Sequence, residues 1–218
     1  GTLAQVTLAP ELPGAAAAIR RFTAAGVRVA VGHTGVDFAG ARQAFEQGAS
    51  ILTHAFNGMP GIHHREPGPV LAAMRSAGVT VEIIADGVHV HPEVVALLFE
   101  CVPERIALIT DAMAATGSPD GDYWLGPNRV TVRDGVARTA GGSLAGSTLT
   151  QDKALRVAVQ QAGVPLEVAV TALTLTPARC LGLDGWLGRL DPGYAADAVL
   201  LDQALGVCAV WARGRRHL

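Results

Sequence analysis

The first half of the chain repeats one unit, in which a short apolar run, a polar residue and a stretch with apolar residues at helical spacing follow one another. The apolar runs, which we interpret as strands, are Val6–Pro10, Val27–Gly32, Ile51–Phe56, Val79–Ala85 and Ile106–Thr110. The stretches between them, which we interpret as helices, are Pro13–Ala25, Asp37–Gln47, Pro67–Ala77 and His91–Cys101. Strands that alternate with helices form parallel βαβ units, and nearly continuous apolar strands are typical of a sheet covered on both faces. The pattern predicts an α/β fold, either a (β/α)8 barrel or a doubly wound sheet.

The composition of the sequence changes after Asp111, because residues 112–147 are rich in Gly, Asp, Thr and Ser. The pair Asp134-Gly135 separates two alternating runs, Val130–Arg133 and Val136–Thr139, which is a strong hairpin signal. Two further helices are expected at Gln151–Ala162 and Pro165–Leu175, and two short strands at Ala198–Leu201 and Val207–Ala212. We therefore expect a main α/β domain over residues 1–184 and part of a small β-structure over residues 185–218.

Composition narrows the class of protein. Half of the 218 residues are apolar, and the net charge is −2 with both signs interspersed. This charge pattern excludes the basic footprint of a nucleic-acid-binding protein and a polybasic membrane patch. No apolar stretch is long enough to span a bilayer. The three cysteines, Cys101, Cys180 and Cys208, form no C-x-x-C pair, so neither a disulfide framework nor a cysteine zinc site is indicated. We expect a cytoplasmic protein without nucleic-acid or membrane partners.

Polar side chains follow each of the five expected strands. They are Glu11, His33, His54 with Asn57, Asp86 with His89, and Asp111. In a parallel barrel these strand ends meet on one rim, which is where barrel enzymes place their active sites. Two histidines and an aspartate on such a rim indicate metal binding combined with acid–base chemistry. Each of these residues alone is more often structural, but their joint placement favours a functional site.

Three features allow two interpretations each. Glu11 is either a metal ligand, or a residue that caps the helix starting near Pro13 or supports the metal ligands without touching the metal. Arg65, in the loop His63–Gly68, is suited to a phosphate or carboxylate, or forms a surface ion pair with Glu66. The small-residue loop Ser143–Ser147 either approaches a ligand closely or is an ordinary turn.

A set of motifs, taken in order along the chain, resembles the N-acetylglucosamine-6-phosphate deacetylases of the amidohydrolase superfamily. The matching segments are Val6–Glu11, Gly32–Thr34, Thr53–Pro60, Arg65–Gly68, Ile84–His89, Thr110–Ala112, Leu144–Ser147 and Thr176–Ala178. The joint set is far more specific than any single motif, and it covers essentially the whole chain.

The resemblance implies a metal-dependent (β/α)8 barrel with a small β-domain, which hydrolyses N-acetylglucosamine 6-phosphate to glucosamine 6-phosphate and acetate. It implies that His33 and His54 are metal ligands, that Asp111 is the catalytic acid/base, and that one or two divalent ions, zinc or else iron, are bound. The substrate-binding residues that it implies are Asn57, Gly58, Arg65, His89, Leu144, Ala145, Gly146 and Ser147. It also implies a homodimer, because the phosphate site in this family is often completed across a dimer.

The chain departs from the family pattern in one respect. The family's H-x-E-G-P segment and H-x-H pair, which carry further metal ligands, do not occur here. We therefore expect only barrel strands four to eight, over residues 1–184, with residues 185–218 as the carboxyl-terminal part of the small β-domain. Two histidines alone form a weak zinc site. The alternatives are another amidohydrolase, dihydroorotase-like or deaminase-like, and an inactive truncated fragment that serves as a folding or interaction module.

Overall fold

The computed structural model describes residues 2–218, so the first residue of the predicted range 1–184 lies outside the described residues. Five parallel strands form the main sheet: β1 (Gln5–Leu8), β2 (Arg28–Val31), β3 (Ile51–Leu52), β4 (Thr80–Ile84) and β5 (Ile106–Ile109). Their order in the sheet is the order in the chain, and every neighbouring pair is parallel. A doubly wound sheet would reverse its strand order at a switch point. The unbroken order is that of an arc of a barrel.

Four helices connect these strands: α1 (Ala15–Ala24), α2 (Phe38–Glu46), α3 (Gly68–Arg75) and α4 (Pro92–Cys101). The start of α2 is fixed by Asp37, whose carboxylate accepts the backbone N–H of Gly40 at 2.8 Å. The apolar faces of the helices and the strands form one continuous core, which includes Ile19, Leu52, Val70 and Leu98. The predicted helices and strands of this region are confirmed to within two residues at their ends, apart from β3.

The third strand is shorter than predicted. The sequence indicated Ile51–Phe56, but pairing covers only Ile51–Leu52. The backbone leaves the extended conformation at His54, with φ of 27°, and at Phe56, with φ of 74°. The apolar residues after Leu52 therefore form a buried turn and not a strand.

A separate antiparallel sheet follows β5 and contains β6 (Gly121–Leu125), β7 (Asn128–Arg133) and β8 (Val136–Thr139). The predicted Asp134-Gly135 hairpin is confirmed, with φ of 51° and 71° at the two turn residues, as a type I′ turn requires. Strand β6 was not predicted, because its sequence shows no clean alternation of apolar and polar residues. All five of its residues pair with residues 128–132 of β7.

The carboxyl-terminal part continues with α5 (Gln151–Arg156), a π-helical turn (Val157–Gln161), α6 (Leu166–Leu173) and α7 (Leu175–Leu181). The helix predicted at Gln151–Ala162 changes to π geometry after Arg156, and the one predicted at Pro165–Leu175 stops at Leu173. Helix α7 was not predicted, but Pro177 lies in its first turn, where no backbone donor is needed.

A third sheet, which is antiparallel, lies at the carboxyl-terminal end of the chain. It contains the two predicted strands, β9 (Ala198–Leu201) and β10 (Val207–Ala212), and one further strand, β11 (Arg215–Arg216). Its β9–β10 turn is tied to the helical region by Arg156, which donates to the carbonyl of Leu205 at 3.1 Å. Within residues 2–218, no helix is both long enough and apolar enough to cross a membrane.

Candidate active site

Three of the predicted rim residues adopt an uncommon backbone conformation. His33, His54 and Asp111 lie just beyond the carboxyl ends of β2, β3 and β5, with φ of 48°, 27° and 50°. Positive φ in a non-glycine residue costs about 1–3 kcal/mol and occurs in turns and at functional sites. The same strain at three strand ends of one sheet makes this rim the candidate functional site.

The two histidines contact each other. Their Nε2 atoms are 2.9 Å apart, and the rings are nearly perpendicular, with an interplanar angle of 80°. His54 is buried, with 5% of its surface exposed, whereas His33 is exposed. Burial, and secondly the neighbouring His33, lower the pKa of His54, which favours the neutral imidazole that metals require.

The spacing of the pair is compatible with a shared cation. Two nitrogen ligands on a tetrahedral zinc ion lie about 3.3 Å apart, since each Zn–N bond is about 2.0–2.1 Å. The Nδ1 atom of His54 is buried and has no hydrogen-bond partner among the described residues. No group of three or more His, Cys, Asp and Glu side chains in residues 2–218 is arranged to hold a metal ion. The residues present therefore fit two ligands of a metal site and not a complete coordination shell.

Asp111 is held by the loop that was predicted to line the substrate pocket. Its backbone carbonyl accepts the N–H of Ser147 at 2.8 Å, and Ser147 also donates its hydroxyl to the carbonyl of Thr110. Ser147 is 2% exposed, so its hydroxyl is committed to this contact. A side chain on Gly146 would approach the Asp111 carbonyl to 3.1 Å. Residues Leu144, Ala145, Gly146 and Ser147 thus pass close to the backbone of Asp111, whose side chain is exposed.

Asn57 and Gly58 lie beside the histidine pair. The Asn57 amide donates to the carbonyl of Ala55 at 3.1 Å, which closes the turn after His54. Gly58 has φ of 60°, and a Cβ atom there would be 3.3 Å from Nδ1 of His33. The absence of a side chain at Gly58 lets the backbone pack against the His33 ring.

His89 forms a close pair with Asp86. Its Nδ1 is 2.6 Å from Oδ2 of Asp86, and the two side chains are only 6% and 10% exposed. Oδ1 of the same carboxylate accepts the backbone N–H groups of Val88 and His89. The pair borders a small cavity that also contacts Gly146, Ser147 and Lys153. The sequence pattern predicts Asp86 on the rim but assigns it no role, although its D-x-x-H spacing to His89 is a signal for such a pair.

Arg65 lies in an exposed loop and contacts His64. Its guanidinium donates to Nε2 of His64 at 2.8 Å, and within the described chain no ion pair joins it to Glu66. The ion-pair interpretation is therefore wrong, and the remaining donors of Arg65 face solvent.

Glu11 does not cap the helix that follows it. The N-cap of α1 is Gly14, and no side chain bonds to that end of the helix. The Glu11 carboxylate instead accepts the hydroxyl of Thr34 at 2.5 Å and the backbone N–H of Gly35 at 2.7 Å. The capping interpretation is wrong because these partners, on the loop after β2, satisfy both carboxylate oxygens.

A parallel βα sheet with paired histidines and an aspartate on its rim is the arrangement expected of a barrel hydrolase. Comparison with family models supports this class of protein. The model of the amidohydrolase family matches residues 22–215. The chain belongs to the amidohydrolase family, which confirms the superfamily to which the sequence resemblance pointed.

Individual relatives narrow the comparison. N-acetylgalactosamine-6-phosphate deacetylase of Escherichia coli O157:H7 is 49% identical over 98% of this chain and 57% of its own length. N-acetylglucosamine-6-phosphate deacetylase of Vibrio furnissii is 42% identical over 98% of this chain and 53% of its own length. A solved structure of a Mycobacterium smegmatis N-acetyl-D-glucosamine-6-phosphate deacetylase mutant, in complex with N-acetyl-D-glucosamine-6-phosphate, is 47% identical. It matches with a TM-score of 0.95 over 99% of this chain and 57% of that one. The chain thus spans about half the length of these relatives.

Proposed function

We propose that this chain carries the catalytic and substrate-binding part of a metal-dependent deacetylase acting on N-acetylglucosamine 6-phosphate. The observation that carries the proposal is the His33–His54 pair on the same rim as Asp111. The names of the relatives support the substrate class, an N-acetylated hexosamine 6-phosphate. Within that class the two named substrates differ in the sugar, so the preference is a matter for experiment.

His33 and His54 would hold the metal, zinc or iron, as two of its ligands. A bound divalent ion would polarise the acetamide carbonyl and lower the pKa of a water molecule. The depressed pKa of His54 supports this role, because a neutral imidazole offers its lone pair to a cation.

Asp111 would act as the general base and then as the general acid. Its carboxylate takes a proton from the water that attacks the acetamide carbon, and it returns that proton to the amine nitrogen as the C–N bond breaks. The products are acetate and the free amino sugar phosphate. The contacts of Ser147 with the Thr110–Asp111 backbone support this role, since they orient the residue without occupying its carboxylate.

His89 would contact the sugar close to the scissile amide. The bond from its Nδ1 to Asp86 fixes the ring and leaves Nε2 for the substrate. Asn57, Gly58 and Arg65 would hold the sugar phosphate, with the guanidinium of Arg65 as the charged donor. The loop Leu144–Ser147 would line the pocket, and a homodimer would complete the phosphate site. Residues 1–184 would then form the partial barrel, and residues 185–218 part of the small β-domain.

Acetate release tests the proposal. The substrates are the 6-phosphates of N-acetylglucosamine and N-acetylgalactosamine, and unphosphorylated N-acetylglucosamine. Two proteins are assayed with added zinc. One is residues 1–218 alone, and the other is residues 1–218 joined to the amino-terminal part of the Escherichia coli relative. We expect the joined protein to release acetate from a phosphorylated sugar in preference to the free sugar, and the chain alone to be much slower. The proposal fails if the joined protein is inactive on both phosphates while the parent relative is active. Ammonia release would favour a deaminase.

A further inference from the structure

Glu11 links the ends of the first two strands. It follows β1 in the chain, yet both carboxylate oxygens accept hydrogen bonds from the loop after β2. The donors are the hydroxyl of Thr34 and the backbone N–H of Gly35. The Thr34 hydroxyl in turn accepts the N–H of Val36 at 3.0 Å, so the carboxylate fixes three successive residues directly after His33.

The same loop is connected to the end of the third strand. The backbone N–H of Thr34 donates to the carbonyl of Gly58 at 3.0 Å. Gly58 packs against the ring of His33, close enough that an added Cβ would lie 3.3 Å from Nδ1. Hydrogen bonds therefore connect Glu11 to Thr34 and Thr34 to Gly58. His33 directly precedes Thr34 in the chain, and its ring contacts Gly58.

His33 needs such support because burial does not hold it. Its side chain is exposed, whereas that of its partner His54 is buried, and its backbone has φ of 48°. A strained and exposed residue keeps one conformation only when its neighbours impose it. The adjacent Thr34 is 4% exposed and is fixed on both sides, by Glu11 and by Gly58.

We propose that Glu11 is a positioning residue that holds His33 against His54 by fixing the Thr34–Val36 loop. The inference rests on the proposed function of His33 as a metal ligand. Both carboxylate oxygens of Glu11 accept donors from the loop, and within residues 2–218 this residue belongs to no group of three or more His, Cys, Asp and Glu side chains arranged to hold a metal ion. Partial burial opposes ionisation, but the hydrogen bonds from Thr34, its own backbone and Gly35 outweigh burial and lower the pKa of Glu11. The residue is therefore a carboxylate at neutral pH.

The test compares Glu11→Ala and Glu11→Gln with Asp37→Ala in the 218-residue chain. Asp37 belongs to the same loop but bonds only to the start of α2, so its loss disturbs the loop without touching Thr34. Zinc affinity is measured by calorimetry. Nuclear Overhauser contacts between the ring protons of His33 and His54, and hydrogen exchange at Gly35, are measured without metal.

We expect Glu11→Ala to weaken zinc binding about 10- to 100-fold, the effect usual for a residue that orients a metal ligand. The contact between the rings should be lost and exchange at Gly35 accelerated, with Glu11→Gln intermediate. Asp37→Ala should lower the melting temperature and leave zinc affinity and the ring contact unchanged. If Glu11→Ala does not fold, Glu11→Gln carries the comparison.

Unchanged ring contacts and Gly35 exchange in the Glu11 variants would overturn the inference, as would an equal loss in Asp37→Ala. Failure of the metal proposal has a different signature. The unaltered chain would then bind no zinc, while the metal-free ring contact would still depend on Glu11.

Discussion

His33 and His54 occupy equivalent positions on neighbouring parallel strands. The register of β2 and β3 pairs Val31 with Leu52, and each histidine follows its paired residue by two positions. Their Nε2 atoms are consequently 2.9 Å apart. The parallel register brings two residues that are 21 positions apart in sequence to the ends of neighbouring strands.

Asp111→Asn is expected to abolish most of the acetate release. An amide cannot accept the proton of the attacking water, and loss of a general base typically costs about 10²- to 10⁴-fold in kcat. Zinc affinity should stay within about threefold of the unaltered protein, because the histidine pair is intact. Asp122→Asn, on the exposed β6–β7 hairpin, serves as the control. A kcat near normal in Asp111→Asn would contradict the assignment.

Arg65→Ala is expected to raise KM for the phosphorylated sugar about 10- to 100-fold, which corresponds to the loss of a charge-assisted hydrogen bond of about 1.5–3 kcal/mol. The KM for the unphosphorylated sugar should change little. Arg42→Ala removes an equally exposed arginine, whose partner is Glu46, and should leave both constants unchanged. Steady-state kinetics on the two sugars distinguishes the cases, and an unaltered KM for the phosphate would refute the role.

Gly58→Ala is expected to weaken zinc binding about tenfold, because the new methyl group would press on the His33 ring. Gly26→Ala is the matched control, since Gly26 also has positive φ, at 76°, but nothing within 4 Å of an added Cβ. Both variants should lose about 1 kcal/mol of stability from the backbone conformation. Calorimetric zinc titration should show a defect only at Gly58. Equal affinities in the two variants would mean that Gly58 does not shape the ligand.

Asp86→Asn is expected to reduce both turnover and stability. Burial alone would raise the pKa of Asp86, but hydrogen bonds from the His89 ring and from the backbone of His89 and Val88 lower it. The contribution of the carboxylate to stability is therefore present in full above its unfolded pKa of about 3.9 and is lost as the pH falls through the lower folded value.

At pH 7 the free energy of unfolding of the variant should be about 2 kcal/mol lower than that of the unaltered protein, and this difference should decrease below about pH 4. Denaturant unfolding at several pH values measures this difference in the free energy of unfolding. The other charged groups around the same cavity are Asp134 and Lys153. Asp202→Asn is the kinetic control, because Asp202 also accepts two backbone N–H groups, in the β9–β10 turn. A difference that persists unchanged at low pH would show that the charge of Asp86 is not the cause.

The βα order, most element boundaries and the rim positions of His33, His54 and Asp111 could be predicted from the amino-acid sequence. These follow from local patterns: apolar periodicity, helix caps and the polar residue after each strand. The Asp134-Gly135 turn could also be predicted from the sequence, because a two-residue hairpin depends on the conformational freedom of the turn residues themselves.

Which of these residues contact each other became visible in the folded chain alone. Glu11 bonds to residues 23 and 24 positions away, Ser147 supports the backbone 37 positions earlier, and β6 exists because β7 pairs with it. The contacts of Glu11 and Ser147 arise because parallel strands bring distant loops to one rim, and no local pattern encodes them. The positive φ of the rim residues and the 2.9 Å contact of the two imidazoles likewise depend on that packing.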